Sequence, residues 1–171
     1  PPEGWNVETV ESHSSGSYFS KLQAYNKAKQ RLEELINKED DIIVHLHAAS
    51  DYSFLRKLRL AEHASKLGAS IVFQIHSGNI LSWLGKKDRA KKMRQRLKDC
   101  KATIVCLSER WKELLTPFLG KCVVSSNPID PIHCIDESVE RKQNQILLLG
   151  RNDEVKGHDF AFEIMREFQK N

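Results

Sequence analysis

The sequence contains no apolar run near the about 18–20 residues that a membrane-spanning helix requires, and no signal-peptide pattern at its start. An integral membrane protein is therefore not expected. Cysteine is sparse, and Cys100, Cys106, Cys122 and Cys134 show no CxxC spacing. That argues against a zinc ribbon, a redox dithiol or a disulfide framework. Cys106 and Cys122 fall inside apolar, strand-like runs and read as buried small hydrophobes. No GxGxxG follows any expected strand, which removes the usual dinucleotide site, and no GxxxxGK[ST] loop is present. Aromatic residues make up 8% of the chain and are not interleaved with basic ones along a stripe, so nucleic-acid binding is not expected. No cofactor and no metal site are expected.

What is present is ordinary for a soluble globular protein: 171 residues, 40% hydrophobic and 29% charged. That length builds one well-packed domain with little left over. The net charge of +4 and pI near 8.9 suit anionic partners, such as nucleotide diphosphates, lipid phosphates or anionic membrane surfaces, without selecting among them. The chain opens on Pro1-Pro2-Glu3-Gly4 without an initiator Met and is expected to be a fragment or a processed product.

Periodicity predicts alternating strands and helices. Val7 to Val10 reads as a short strand, followed by a loop at His13–Ser17. Tyr18 to Asn37 places Leu22, Tyr25, Ala28, Leu32, Leu35 and Ile36 at helical spacing. Ile42–His47 and Ile71–His76 are nearly continuous apolar runs, the pattern of parallel strands buried on both faces. Between them Ser53 to Leu67 is helical and stops at Gly68. Lys86 to Asp99 is a basic helix, Ala102–Leu107 a strand, Ser108 the cap of a helix to about Leu119, and Cys122–Val124 a short strand. This alternation predicts an α/β fold, a Rossmann-like doubly wound parallel sheet with flanking helices. Two prolines in Asn127-Pro128-Ile129-Asp130-Pro131 break the rhythm. The expected organisation is a Rossmann-like domain over 1–126, an interdomain linker over 127–144, and over 145–171 a strand, turn and helix opening a second domain.

Ligands of open α/β sheets bind beyond the carboxyl ends of the strands. The first such place is His45-Leu46-His47-Ala48-Ala49-Ser50, with Asp51, Ser53 and Arg56 beyond it. His45 and His47 share one side of their strand. They are either packed histidines or two ligands of a metal whose third ligand is not evident; His47, nearer the strand end, is the better functional candidate. Ser53 or Asp51 is expected to cap the next helix, and Arg56 opposes the helix dipole near its start. The second place is His76-Ser77-Gly78, where the imidazole can meet a sugar hydroxyl and the glycine allows a tight turn and close approach. The third, Ser108-Glu109-Arg110-Trp111, is explained by capping. The fourth is Gly150-Arg151-Asn152-Asp153-Glu154-Val155-Lys156-Gly157, a turn after a strand whose backbone N–H groups favour an anion and whose Arg151 and Lys156 would neutralise a diphosphate.

These segments, in order, resemble the N-terminal domain of family 4 retaining glycosyltransferases of the GT-B fold, nearest to members that assemble exopolysaccharides or surface glycans. The resemblance runs through His45–Ser50, Ser53–Lys57, Gln74–Gly78, Cys106–Trp111, the linker Asn127–Asp130 and the donor turn Leu149–Gly157, and covers most of positions 41 to 165. It implies a hexosyltransferase that moves a sugar, with retention and without a metal, from a UDP- or GDP-sugar to a glycan or lipid-linked acceptor. By resemblance Gly150, Arg151 and Lys156 hold the donor diphosphate, and His76 faces the transferred sugar as the catalytic residue. His47, Ser50, Ser53, Arg56, Ser77 and Gly78 then line the acceptor-side cleft. A cytoplasmic enzyme is what the resemblance implies, and the basic helix would suit peripheral association with the inner membrane face; a solvated charged face explains that helix equally. Pro128 stands where the family has glycine, the glycine-rich N-terminal loop is missing, and so is the later acidic ExxxxxxxE motif; both ends are therefore expected to be truncated. A non-catalytic Rossmann-like nucleotide- or partner-binding module is the alternative, and a GT-B epimerase a third reading. The glycosyltransferase reading predicts that these 171 residues alone do not turn over; sugar transfer detected with the isolated chain in a radiolabelled-donor assay would overturn that.

Overall fold

In a computed structural model, the structure describes residues 3–86, 88–128, 138, 140, 142, 143, 145–150 and 157–168. The chain divides into two compact units, Pro1–Pro128 and Ile129–Asn171.

The first unit is α/β. Its strands are β1 (Ile43–Ala48), β2 (Ser70–Ile75), β3 (Thr103–Cys106) and β4 (Cys122–Val124). They form a four-stranded sheet in the order β1-β2-β3-β4, with every pair parallel. Around it run α1 (Tyr18–Ile36), α2 (Asp51–Lys66), α3 (Ile80–Leu84), α4 (Arg89–Asp99) and α5 (Glu109–Leu119). Parallel neighbours require crossovers, which α2, the α3–α4 pair and α5 supply in turn.

Packing explains why these segments settle. α1 starts at Ser17, whose hydroxyl accepts the Ser20 N–H at 3.3 Å, and buries Ala28 and Leu32. α2 presents Phe54, Leu58, Ala61 and Ala64 to the core. Phe54, with no exposed surface, packs edge-on to Phe73 of β2 and against Trp83 of α3, ring centroids 5.0 Å away in each case. α5 is capped by Ser108, whose hydroxyl accepts the Trp111 N–H at 3.3 Å, as the sequence implies. Cys100, Cys106 and Cys122 are free and buried; Cys134 lies outside the described residues.

The helices neighbour one another in the series α1, α2, α4, α5 and cover one face of the sheet. The other face is exposed along β1, while Gln74 of β2 and Val105 of β3 are buried on it. In β1 Val44, Leu46 and Ala48 are buried while Ile43, His45 and His47 are exposed, and Thr103 and Val123 are exposed on the same open side. Burial on both faces, expected from the apolar runs, holds for most of the inner strands β2 and β3, where Gln74 and Val105 are buried as well as Phe73 and Ile104; in β1, at the edge of the sheet, that expectation is corrected. Sequential parallel strands with helices on one face make one half of a doubly wound sheet; the described residues contain no second half. The sequence misled in β1 because Ile43 is an apolar residue standing on the exposed side, so the two-residue alternation there is hidden.

Two further expectations differ from the structure. Val7–Val10 forms no strand, because no neighbouring strand offers it a ladder. The segment is instead tied to α1, where the Arg31 guanidinium donates to both Glu8 carboxylate oxygens at 2.6 and 2.8 Å. In the second unit, residues 145–149 form no ladder and Ile146, Leu147 and Leu149 are exposed, so the buried strand expected there is not formed. That unit's described helix, α6 (His158–Phe168), has no buried residue.

The aromatic trio is the part of the core least able to relax. Phe54→Ala should destabilise the first unit by about 3–5 kcal/mol, seen as a lower midpoint in urea followed by circular dichroism. An unchanged midpoint would mean that this contact does not hold α2 on the sheet.

Candidate functional site

The parallel ladder of β1 and β2 runs in register from Ile43↔Ser70 to Ala48↔Ile75, with His47 opposite Gln74. The His76 N–H donates to Ala48 O at 2.9 Å and carries the ladder one step past the strand ends. Side chains opposite each other in a parallel pair share a face. His45, His47, Gln74 and His76 therefore gather on the open face, at the carboxyl end of the sheet.

Two hydrogen bonds tie them. His47 Nδ1 lies 2.8 Å from His76 Nε2, and His45 Nε2 lies 2.8 Å from Gln74 Oε1. The His45 and His47 rings stack at 4.4 Å and those of His47 and His76 are tilted at 4.8 Å. Burial, the neighbouring histidines and Lys57 hold the His47 imidazole below its ordinary range, and burial together with His45 does the same for His76. Both rings are therefore neutral at neutral pH. A neutral pair sharing one hydrogen bond has a fixed property. Whichever ring donates, the two outward nitrogens, His47 Nε2 and His76 Nδ1, present one donor and one acceptor between them. Exchanging tautomers exchanges the two roles.

A metal bound by both inner nitrogens at about 2.0–2.1 Å in tetrahedral geometry would hold them about 3.3 Å apart. The observed 2.8 Å is the spacing of a shared proton. No group of three or more His, Cys, Asp or Glu able to hold a metal ion occurs among the described residues.

The other expected residues fall in two sets. Ser50 occupies the N-cap position of α2, yet its side chain makes no capping bond, and Ser53 Oγ accepts from Ala49 N–H at 3.4 Å. Neither Ser53 nor Asp51 is the cap; Asp51 is the first helical residue, in a left-handed conformation at φ 56°. Arg56 falls in the second turn of α2 rather than its first, half-buried, its Nε without a hydrogen-bond partner. Ser77 Oγ accepts from Asn79 N–H at 3.3 Å, closing the turn after His76. Gly78 has no left-handed φ, and a Cβ there would meet nothing within 4 Å. The expected need for glycine in that turn is thus not borne out; what the residue leaves is open space beside His76. Gly150 is exposed, whereas Arg151 and Lys156 lie outside the described residues.

Gln74 and Lys57 were not singled out from the sequence as site residues. Gln74 is buried, 6% exposed, in the middle of a sheet strand; a lone amide inside the apolar run Ile71–Ile75 is the signal that marks it. Lys57 is legible only as the neighbour of Arg56. The basic helix also changes meaning. Arg94 donates to the Pro117 and Phe118 carbonyls, Arg96 pairs with Glu62, and Arg89 lies 4.8 Å over the Trp83 ring. Lys91, Lys92 and Lys98 remain exposed on α4.

No family model, curated protein or solved structure matches the chain. Fold and site together define an α/β domain with a four-stranded parallel sheet, Rossmann-like in architecture, carrying a histidine pair at the carboxyl ends of two adjacent strands. No described helix is long and apolar enough to cross a membrane.

Because folding depresses the affinity of both rings for protons, protonation favours the unfolded chain. Stability should be full above the free imidazole value of about 6.5 and fall as pH drops through it. Urea midpoints from pH 8 to pH 5 measure the trend, and His47→Gln/His76→Gln should flatten it. An unaltered slope in the double variant would remove the pair from the titration.

Proposed function

We propose that the chain is the acceptor-side part of a metal-independent, retaining glycosyltransferase of the GT-B type, acting on a nucleotide sugar and a glycan or lipid-linked acceptor. The observation that supports this most is the neutral His47–His76 pair. Its outward donor and acceptor suit a sugar hydroxyl, which both gives and takes a hydrogen bond. The pair also stands at the carboxyl ends of the strands, next to where open α/β sheets take their ligands.

In this reading His76 meets the transferred sugar, with His47 holding its ring in place. An acceptor hydroxyl bonded to the outward acceptor nitrogen is oriented for attack, and the adjoining ring receives the displaced hydrogen bond through the shared proton. Ser50, Ser53 and Ser77 supply further polar edges to the acceptor side. Gly150, Arg151 and Lys156 hold the donor diphosphate and stabilise the charge that grows on it as the sugar leaves. The anomeric C–O bond breaks with its electron pair going to the diphosphate, the new bond forms to the acceptor oxygen, and the hydroxyl proton passes to the outward acceptor nitrogen of the histidine pair. Lys91, Lys92 and Lys98 would carry any attraction to an anionic membrane.

A binding module without catalysis is the second reading. It is favoured by one observation: among the described residues no carboxylate hydrogen-bonds to His47 or His76 to orient either ring as a base.

The test is titration of UDP-glucose and GDP-mannose into the chain, followed by amide NMR. Weak binding, of about millimolar Kd, should perturb Gly150, Gly157 and His76 and vanish in an Arg151→Ala/Lys156→Ala variant. Saturating nucleotide sugar that perturbs none of these residues would overturn the transferase reading and leave the binding module in its place.

A further inference from the structure

The inner hydrogen bond of the histidine pair limits what the pair can do with an added proton. His47 Nδ1 and His76 Nε2 lie 2.8 Å apart, a spacing that holds one proton between them and no more. In the neutral pair one outward nitrogen is bare and the other carries hydrogen. A first added proton therefore goes to the bare outward nitrogen. The inner bond survives and becomes charge-assisted, with an imidazolium as its donor. A second would have to enter the inner space and break the contact. One proton thus keeps the geometry and changes the chemistry: His47 Nε2 and His76 Nδ1 both become donors, and the pair carries a positive charge.

Among the described residues nothing balances that charge. The charged or titratable groups that act on the pair are His45 of β1, whose ring stacks on His47 at 4.4 Å, and Lys57 of α2. Gln74 of β2, opposite His47 in the ladder, is neutral, and its oxygen is engaged by His45 Nε2. No described carboxylate hydrogen-bonds to either ring. The counter-charge has to come from a ligand, and both residues are exposed. Spacing then selects the ligand. The outward nitrogens are set apart by the inner bond and the width of two rings, so they meet two different groups. A lone carboxylate reaches one of them. A sugar with a carboxylate at one end and hydroxyls around its ring offers an acceptor to each. One proton also matches the single charge of a carboxylate, whereas a phosphate carries nearly two at neutral pH.

We propose that the His47–His76 pair is a proton-linked site for a uronic acid, holding the sugar's carboxylate at one outward nitrogen and a ring hydroxyl at the other, and taking up one proton as it does so. Its consequence for regulation rests on the transferase reading above. With no bare nitrogen left, the pair cannot receive a hydroxyl proton. The uronate complex is then a dead end for transfer, and acidic sugars displace neutral acceptors as the pH falls.

The experiment follows the ring signals of His47 and His76 by NMR in the 171-residue chain, from alkaline to acidic pH at constant ionic strength. Parallel series contain sodium glucuronate, sodium acetate, glucose, or sodium chloride alone. Saturating glucuronate should raise the first titration midpoint of the pair by at least about one pH unit over sodium chloride, the shift produced by a tenfold preference for the protonated form. Its affinity should fall about tenfold for each pH unit above that midpoint, as uptake of one proton requires. Glucose should leave the midpoint in place or lower it, and acetate should move it less than glucuronate does. His47→Gln and His76→Gln, both at exposed positions, should each abolish the glucuronate effect on the remaining ring. A midpoint unmoved by glucuronate overturns the proposal, and so does acetate or glucose matching glucuronate. A glucuronate effect that persists while UDP-glucose and GDP-mannose fail to bind would sink the transferase reading and leave the proton-linked site on a binding module. Nucleotide-sugar binding without a glucuronate effect overturns this inference alone.

Discussion

Almost everything at the site depends on how β1 and β2 lie against each other. Their parallel ladder is in register from end to end, and the His76 N–H extends it by one bond to Ala48 O. Slipping the pairing by one residue would turn every side chain of one strand to the other face. His47 would then enter the core while Leu46 faced water. Leu46, Phe73 and Ile75 are buried against α2, so the hydrophobic side of the sheet enforces the register. The histidine contact on the polar side follows from it. The core thus positions the site without touching it.

The same arrangement explains the burial of Gln74. Its side chain stands on the open face between His45 and His47 on one strand and Val105 on the next. A buried amide needs its hydrogen bonds met, and His45 Nε2 meets the oxygen at 2.8 Å. This bond holds His45 where its ring stacks on His47. Four residues on two strands thereby form one connected polar strip, with His76 as its outermost member. Strands carry His45, His47 and Gln74, and His76 is held to them by its ladder bond to Ala48 O, so the strip is held more closely than one on loops.

Much of this was legible beforehand, for identifiable reasons. α1, α2 and α5 follow helical periodicity, with a stop at Gly68 and a cap at Ser108. The four strands of the sheet are short apolar runs between turns. His47 and His76 are readable as strand-end residues, but their contact is not, because it depends on a register that links positions 29 residues apart. The exposed side of β1 was missed because Ile43 makes that edge strand look uniformly apolar. Val7–Val10 has strand composition, but a strand needs a neighbour to exist, and composition carries no information about neighbours. The basic helix read as a uniform positive surface; folding sends three of its arginines to a carbonyl pair, a carboxylate and an indole ring.

That redistribution sharpens what the net charge means. A surface of +4 has little influence on specificity when it is spread over solvated lysines, where water and salt screen it. On α2 the situation is different. Phe54, Leu58 and Ala61 draw the helix down onto the sheet, and the burial that follows removes water from around Arg56 and Lys57. Low local dielectric raises the cost of leaving the two cations unpaired. By the same physics it raises the strength with which they would hold an anion. One helix therefore does both things: its apolar side secures the core, and by doing so it strips water from part of its charged side, which the exposed lysines of α4 keep.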